Sequence, residues 1–301
     1  MNFKKIKTNS VIAFAKLIAK LPVGAIFSIG HFLGFLTWLI PNKRKKIAAT
    51  NIALCFPELS PEQQSALVKK NLISTGIGFM EMIVAFWSNT DKFINRCEIT
   101  GLEYVEHALK DGKGCLMLSC HLHPIELVIK AINLNLPKTG HMLARQHNNK
   151  IFEAHVDKAR KLHCEKTIDK KDIKAVLKSL KDNHPIYYIP DQNFSYQFKF
   201  IDFFKQPAAT VIAPARLAQA SKTPVVPWFG FRSKDDRGRI CWKISILKPL
   251  DYFENSDIEA TLLKMNALFE KQIRKHPEQY LWVHRRFKNH PNGRNFIYKD
   301  I

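Results

Sequence analysis

His121 and Glu126 stand five positions apart across a proline, in Ser119-Cys120-His121-Leu122-His123-Pro124-Ile125-Glu126. A histidine beside a carboxylate is the minimum unit for general-base catalysis. Residues five apart on one continuous helix face different ways, so this pair meets only if a turn intervenes. Pro124 favours such a turn, because at the first position of a helix its missing N–H costs nothing. Arg145 and Asp191 follow two further apolar runs. An arginine near a histidine–carboxylate pair suggests an anionic substrate group, commonly phosphate, held by the planar guanidinium. Each residue also has a plainer reading. Glu126 in a first helical turn is favoured by the helix dipole, Arg145 can be a surface cation, and Asp191 after Pro190 can shape a turn. His121-x-His123 could ligate a metal, but no second cluster at ligand spacing accompanies it. The chain has no G-x-S-x-G, P-loop or G-x-G-x-x-G, which argues against serine-nucleophile and nucleotide chemistry.

The elements that must position these groups follow from the apolar patterning. Cys115 to Cys120 carries no charge, as expected of a strand buried on both faces, and a helix from Pro124 to about Leu134 follows. His121 then lies at the carboxyl end of a strand, where open α/β sheets place their chemistry. Further strands are expected at Thr139–Ala144, near Glu165–Ile168, and at Pro185–Ile189, Val225–Phe231 and Ile240–Leu247. Helices are expected over 47–90 (with Ser60 as an N-cap), 150–162, 169–181, 208–220 and 257–274. Strands alternating with helices predict a mixed, largely parallel sheet flanked by helices.

The 301 residues carry 47 Lys and Arg against 26 Asp and Glu, a formal charge of +21 that favours polyanionic partners. Six scattered cysteines with no C-x-x-C pair read as small buried residues in a reducing compartment. Aromatic residues sit in apolar runs and do not interleave with a basic stripe, so nucleic acid is not an expected partner. Near the amino end, Val11, Phe14, Ala15 and Ile18 share one helical face. Leu21 to Ile40 follows without a charge, ending beside Trp38 and Lys43-Arg44-Lys45-Lys46. That run is just long enough to span a bilayer core of roughly 30 Å, and an interfacial helix is the alternative. Residues 1–42 are therefore read as a membrane anchor and residues 43–301 as one catalytic domain.

His121-Leu122-His123-Pro124-Ile125-Glu126 is similar to the H-x4-D/E motif of the glycerolipid acyltransferases. The chain as a whole resembles the bacterial lipid A biosynthesis late acyltransferases, which transfer lauroyl or myristoyl groups. The resemblance extends through Asn51 to Glu58, Asp169-Lys170-Lys171-Asp172, Pro190-Asp191-Gln192 and, most distinctively, Pro277 to Lys288. It implies transfer of an acyl chain from acyl carrier protein to a hydroxyl of a phosphorylated lipid A precursor, with no cofactor. His121 would act as general base, Glu126 would orient it, and Arg145, Asp191 and Lys170 would serve substrate binding. Lys170 stands where relatives often carry arginine, which removes a planar fork. Acyl carrier protein, the phosphorylated acceptor and anionic inner-membrane lipid are the partners implied, at the cytoplasmic face of that membrane. A glycerol phosphate or other glycolipid acceptor, a tethered nucleic-acid binder and a metal-dependent hydrolase are the alternatives.

Overall fold

The apolar run leading to His121 is a strand covered on both faces, which its lack of charge requires. The computed structural model describes residues 3–88, 91–144, 147–255 and 257–301. Helices come first: α1 (Phe3–Ile18), α2 (Val23–Leu39), α3 (Lys43–Cys55), α4 (Pro61–Trp87) and the one-turn α5 (Asp91–Ile94). Strands and helices then alternate as β1 (Cys97–Thr100), α6 (Leu102–Lys110), β2 (Cys115–Leu118), α7 (Ile125–Leu134), β3 (His141–Ala144) and α8 (Lys150–Arg160). The alternation continues through β4 (Thr167–Asp169), α9 (Ile173–Lys181) and β5 (Pro185–Tyr188). A hairpin of β6 (Phe198–Phe203) and β7 (Gln206–Val211) precedes α10 (Ala213–Ser221), β8 (Val225–Lys234), β9 (Ile240–Ile246), α11 (Tyr252–Asn255) and α12 (Ile258–Ile273).

The main sheet has seven strands in the order β1-β9-β8-β2-β5-β3-β4. Its neighbours pair in parallel except β8 with β9, so the expected mixed, largely parallel sheet is what forms. β2 lies between β5 and β8, and its side chains alternate between two layers. Leu116 and Leu118 join the core beneath α3, α4 and α12, whereas Cys115 and Met117 join the core beneath α6 and α7. Full burial of such a side chain stabilises by roughly 1.5–3 kcal/mol. Ser60 starts α4 as expected, in a reciprocal capping box with Gln63.

The amino-terminal helices pack onto this body. The uncharged run is interrupted at Leu21 and Pro22, so α2 is 17 residues long, about 26 Å at 1.5 Å per residue. No single helix among the described residues is long and apolar enough to cross a membrane; α2 and α3 pass only as a pair bent by 84°. A glycine seam joins α2 to α4. A Cβ at Gly34 would lie 2.5 Å from Ile73 Cα, and one at Gly76 would lie 2.3 Å from the Gly30 carbonyl oxygen. Only glycine lets these backbones approach so closely. On α1 the anticipated apolar face is divided: Ala15 and Ile18 are buried with Ile12, whereas Val11, Phe14 and Leu17 stand exposed.

The expected helix over 208–220 is shorter, because Gln206–Val211 is a strand. It pairs with Phe198–Phe203 across Phe204 and Lys205, whose φ angles are 53° and 59°. Two-residue hairpin turns with positive φ ordinarily carry Asn-Gly or Asp-Gly. Here tertiary packing holds the turn: Phe204 is buried against Phe56 and Trp282, and its N–H donates to Glu270.

Candidate active site

Because β2 and β5 are adjacent and parallel, the residues just beyond their carboxyl ends meet, and those include His121 and Asp191. His121 Nδ1 lies 2.5 Å from Asp191 Oδ1, and the His121 backbone N–H donates to Oδ2 at 2.9 Å. The Tyr280 hydroxyl also hydrogen-bonds this carboxylate. Burial acts to raise the Asp191 pKa; the His121 charge and the hydrogen bonds from His121 and Tyr280 outweigh it and bring the carboxyl to about 2. An ionised carboxylate accepts, so Nδ1 carries the imidazole proton and the Nε2 lone pair is presented outward. Nε2 lies 3.2 Å from the Gln192 side-chain nitrogen, and the ring is 26% exposed, so a substrate hydroxyl can reach it.

Glu126 takes a different partner. Arg160, at the end of α8, donates through Nη2 to Oε1 and through Nε to Oε2, the latter at 3.4 Å. Both side chains are largely buried, at 13% and 9% exposure. The carboxylate holding His121 is thus Asp191, and Glu126 ties α7 to α8. Asp191 is only 2% exposed with both oxygens engaged, so it stands behind the imidazole and not toward a substrate. Arg145 lies outside the described residues. Lys170 Nζ sits 5.0 Å from the centre of the Phe194 ring. His123 turns away from His121: Nδ1 lies 2.8 Å from Ser74 Oγ and Nε2 3.2 Å from Thr75 Oγ1, both on α4. Burial, aided by the Arg232 charge, pushes its pKa down to about 3 and keeps it neutral. Cys120 is fully buried, and burial pushes its thiol well up, which disqualifies it as a nucleophile.

The distinctive segment from Pro277 to Lys288 runs across this end of the sheet. Leu281 N–H donates to the His121 carbonyl at 3.1 Å, and His123 N–H to the Gln279 carbonyl at 2.9 Å. Two buried asparagines fasten the segment. Asn71 on α4 donates to the carbonyls of Glu278 and Tyr280, and Asn51 on α3 to those of Trp282 and His284. Arg286, 2% exposed, donates to the Gln192 and Ala209 carbonyls and to Thr210 Oγ1, pinning the turn that carries Asp191. His284 Nε2 accepts the Asn193 N–H at 3.2 Å; burial and then the His121 charge lower its pKa to about 4. Tyr280, Arg286 and Arg160 were not among the expected site residues. The distinctive spacing around Tyr280 and Arg286 was the available signal; nothing in the sequence singled out Arg160.

His284 borders two cavities of opposite character. One, of about 520 Å³, is lined by Leu33, Leu72, Phe79, Leu281 and Val283 with Arg44 at its edge. The other, of about 590 Å³, is lined by Lys43, Arg44, Lys170, Arg285, Lys288 and Arg294, with no carboxylate in its wall. A larger apolar cavity of about 930 Å³ lies between α2, α4 and Arg232. His121 and Asp191 line none of the three; the smaller two come nearest through His284, whose pKa the His121 charge lowers, and Leu281, whose N–H bonds the His121 carbonyl.

A histidine fixed by a buried carboxylate, with an apolar groove and a cationic basin meeting at the neighbouring His284, can activate an acceptor hydroxyl for direct transfer of an apolar group. The chain belongs to the bacterial lipid A biosynthesis acyltransferase family, whose model matches residues 4–289. It is 32% identical to the lipid A biosynthesis lauroyltransferase of Escherichia coli K12, covering 92% of this chain and 90% of that protein. It is 29% identical to a lipid A biosynthesis acyltransferase of Haemophilus influenzae, with coverages of 93% and 90%. It is 26% identical to the lipid A biosynthesis palmitoleoyltransferase of E. coli K12, with coverages of 94% and 91%.

Proposed function

We propose that the protein transfers a fatty acyl chain from acyl carrier protein to a hydroxyl of a phosphorylated lipid A precursor, at the cytoplasmic face of the inner membrane. The observation that carries this reading is the His121–Asp191 pair, whose neighbour His284 lines both an apolar groove and a basin with six cationic side chains. The groove suits the hydrocarbon chain and the basin the acceptor phosphates.

His121 Nε2 takes the proton of the acceptor hydroxyl as its oxygen attacks the thioester carbonyl. The imidazolium forms with its Nδ1–H on Asp191, which stabilises the new charge. When the C–S bond breaks, the imidazolium returns the proton to the departing thiolate. No acyl-enzyme is needed, because the thioester is already activated, and general-base assistance contributes roughly 10²–10⁴-fold. Glu126, held by Arg160, keeps α7 and the turn beneath His121 in register. Lys170 and Arg145 are assigned to the acceptor phosphates.

Two faces support attachment to the leaflet without a span. Val11, Phe14 and Leu17 on α1 are exposed, as are Phe32, Leu33 and Leu39 on α2 with Ile40 beyond it, and lysines flank both sets. Such surfaces lie in the membrane interface and are drawn to anionic lipid. The +21 charge also attracts an acidic carrier protein, an attraction that salt weakens.

The test is incubation of purified protein with acyl-charged carrier protein and lipid A precursor, followed by mass spectrometry. A product heavier by one acyl chain is expected from the wild type and not from His121→Ala. Acylation of glycerol phosphate in preference to the lipid A precursor would overturn the acceptor assignment. Full activity of His121→Ala would overturn the mechanism.

A further inference from the structure

The amino ends of the same parallel strands gather a second constellation, on the edge of the sheet opposite His121. His141 is the first residue of β3, His184 immediately precedes β5, and Glu165 lies two residues before β4. The three are far apart in sequence, but β5, β3 and β4 are successive neighbours, which brings their starting points together. One potential ligand atom from each lies within 4.8 Å of the other two.

The details are those of a site built for a cation. His141 is 5% exposed, and its Nε2 has no hydrogen-bond partner among the described residues. A buried polar atom left unsatisfied is destabilising, so it calls for an explanation. Its other nitrogen, Nδ1, lies 3.0 Å from Ser179 Oγ, which orients the ring and leaves Nε2 toward Glu165 Oε2 at 3.8 Å. Metal-bound histidines are commonly held by just such an outer partner. His184 Nδ1 is 3.6 Å from the same Glu165 oxygen, and the two imidazoles stack with centres 4.0 Å apart.

We infer that His141, Glu165 and His184 form a binding site for a divalent cation of the zinc class. Two imidazoles and one carboxylate are the donors that zinc favours, and magnesium and calcium prefer oxygen alone. Zinc–ligand bonds of about 2.0–2.1 Å in a tetrahedron place neighbouring ligand atoms roughly 3.3–3.4 Å apart. The observed 3.8 and 3.6 Å to Glu165 are within a few tenths of an ångström of this, and Glu165, with its side chain 58% exposed, is free to close them. The two imidazole nitrogens lie within 4.8 Å on nearly parallel rings, so binding turns the His184 ring out of the stack until its in-plane lone pair meets the ion that His141 Nε2 faces. His184 Nδ1 exchanges its hydrogen bond to the Thr139 carbonyl, at 3.1 Å, for the metal. Water completes the fourth position. The ion clips the starts of β3, β4 and β5, far from the transfer chemistry, so its role is stabilising.

The test uses the full chain in detergent, stripped with chelator, desalted, and titrated with zinc chloride. Bound metal is measured after gel filtration, together with the thermal midpoint. One zinc per chain and a raised midpoint are expected for the wild type, with acyl transfer unchanged. Glu165→Gln, a surface change that leaves the fold intact, is expected to weaken zinc binding at least tenfold, and His184→Ala to abolish uptake. Magnesium chloride at the same concentration is expected to give no shift. Absence of stoichiometric zinc in the wild type would overturn the inference. So would undiminished zinc affinity in Glu165→Gln, whatever the stability of the histidine variant.

Discussion

The substitution that most sharply tests the active-site reading is Asp191→Asn. Both oxygens of Asp191 receive donors from one residue: the His121 backbone N–H at 2.9 Å and the ring Nδ1 at 2.5 Å. A carboxylate accepts from both, but an amide has one acceptor and one donor end. The backbone N–H cannot change, so the amide oxygen turns to it and the NH2 faces Nδ1. His121 must then give up its Nδ1 proton and carry it on Nε2, where it can donate but no longer abstract. The imidazolium also loses its countercharge. In a serine protease the equivalent change lowers kcat about 10⁴-fold through the same wrong tautomer, and a drop of ~10³–10⁴ is expected here. Glu126→Gln loosens only the Arg160 contact and is expected to cost no more than about tenfold, within the spread of positioning effects. The assay is the initial rate of acyl transfer at saturating donor and acceptor, with thermal midpoints to verify folding. If folded Asp191→Asn kept activity within threefold of wild type, or if Glu126→Gln were the more damaging, the assignment of Asp191 would fail.

Reversing two charges in the basin, with Lys288→Glu and Arg294→Glu together, is expected to raise KM for the phosphorylated acceptor by roughly 10- to 100-fold. In this partly exposed basin each charge contact is worth up to about 1 kcal/mol, so the pair accounts for a change of that order. KM for a dephosphorylated acceptor should change little, which steady-state kinetics on both will show. Stability should fall in acid through His163. It is 4% exposed, both ring nitrogens lack partners among the described residues, and burial lowers its pKa to about 3, assisted by the Lys130 and Arg160 charges. Unfolded chain takes a proton near the ordinary 6.5 while the folded form does not, so stability is lost as pH falls from about 6.5 toward 3. In urea titrations His163→Leu should flatten that slope by at most about 1.4 kcal/mol per pH unit. An unchanged slope would mean that His163 is hydrated or paired.

The parts of the fold visible in the sequence are those specified by local pattern. The uncharged run before His121, the proline after it and the apolar stripe of α7 define a strand, turn and helix within a few residues of their true bounds. Ser60-Pro61-Glu62 marked the start of α4 because capping is local chemistry. Strand order is not local. That β5 lies beside β2 decides which carboxylate meets His121, and no spacing within residues 115–126 encodes it. Glu126, near in sequence, was the natural candidate; Asp191, 70 positions away, is the one in contact. The β6–β7 hairpin was hidden for a related reason, since Phe204 and Lys205 carry no turn signal and depend on Glu270 and Trp282. Gly30 and Gly34 sit inside the uncharged run read as a span, where nothing local gives them a purpose. Against α4 they are the contact surface.

That glycine seam has a mechanical consequence. Backbones in direct contact leave no compressible layer of side chains, so α2 and α4 move together. α4 in turn carries Asn71, which holds the Tyr280 loop that bonds Asp191. There is no joint between the exposed apolar face of α2 and the reacting imidazole. A tethered enzyme tumbles above its leaflet and wastes most encounters on wrong orientations. On the membrane attachment proposed above, an enzyme that rests on its own wall keeps a set tilt and depth, and an acceptor confined to the same leaflet need only diffuse in two dimensions to arrive correctly posed.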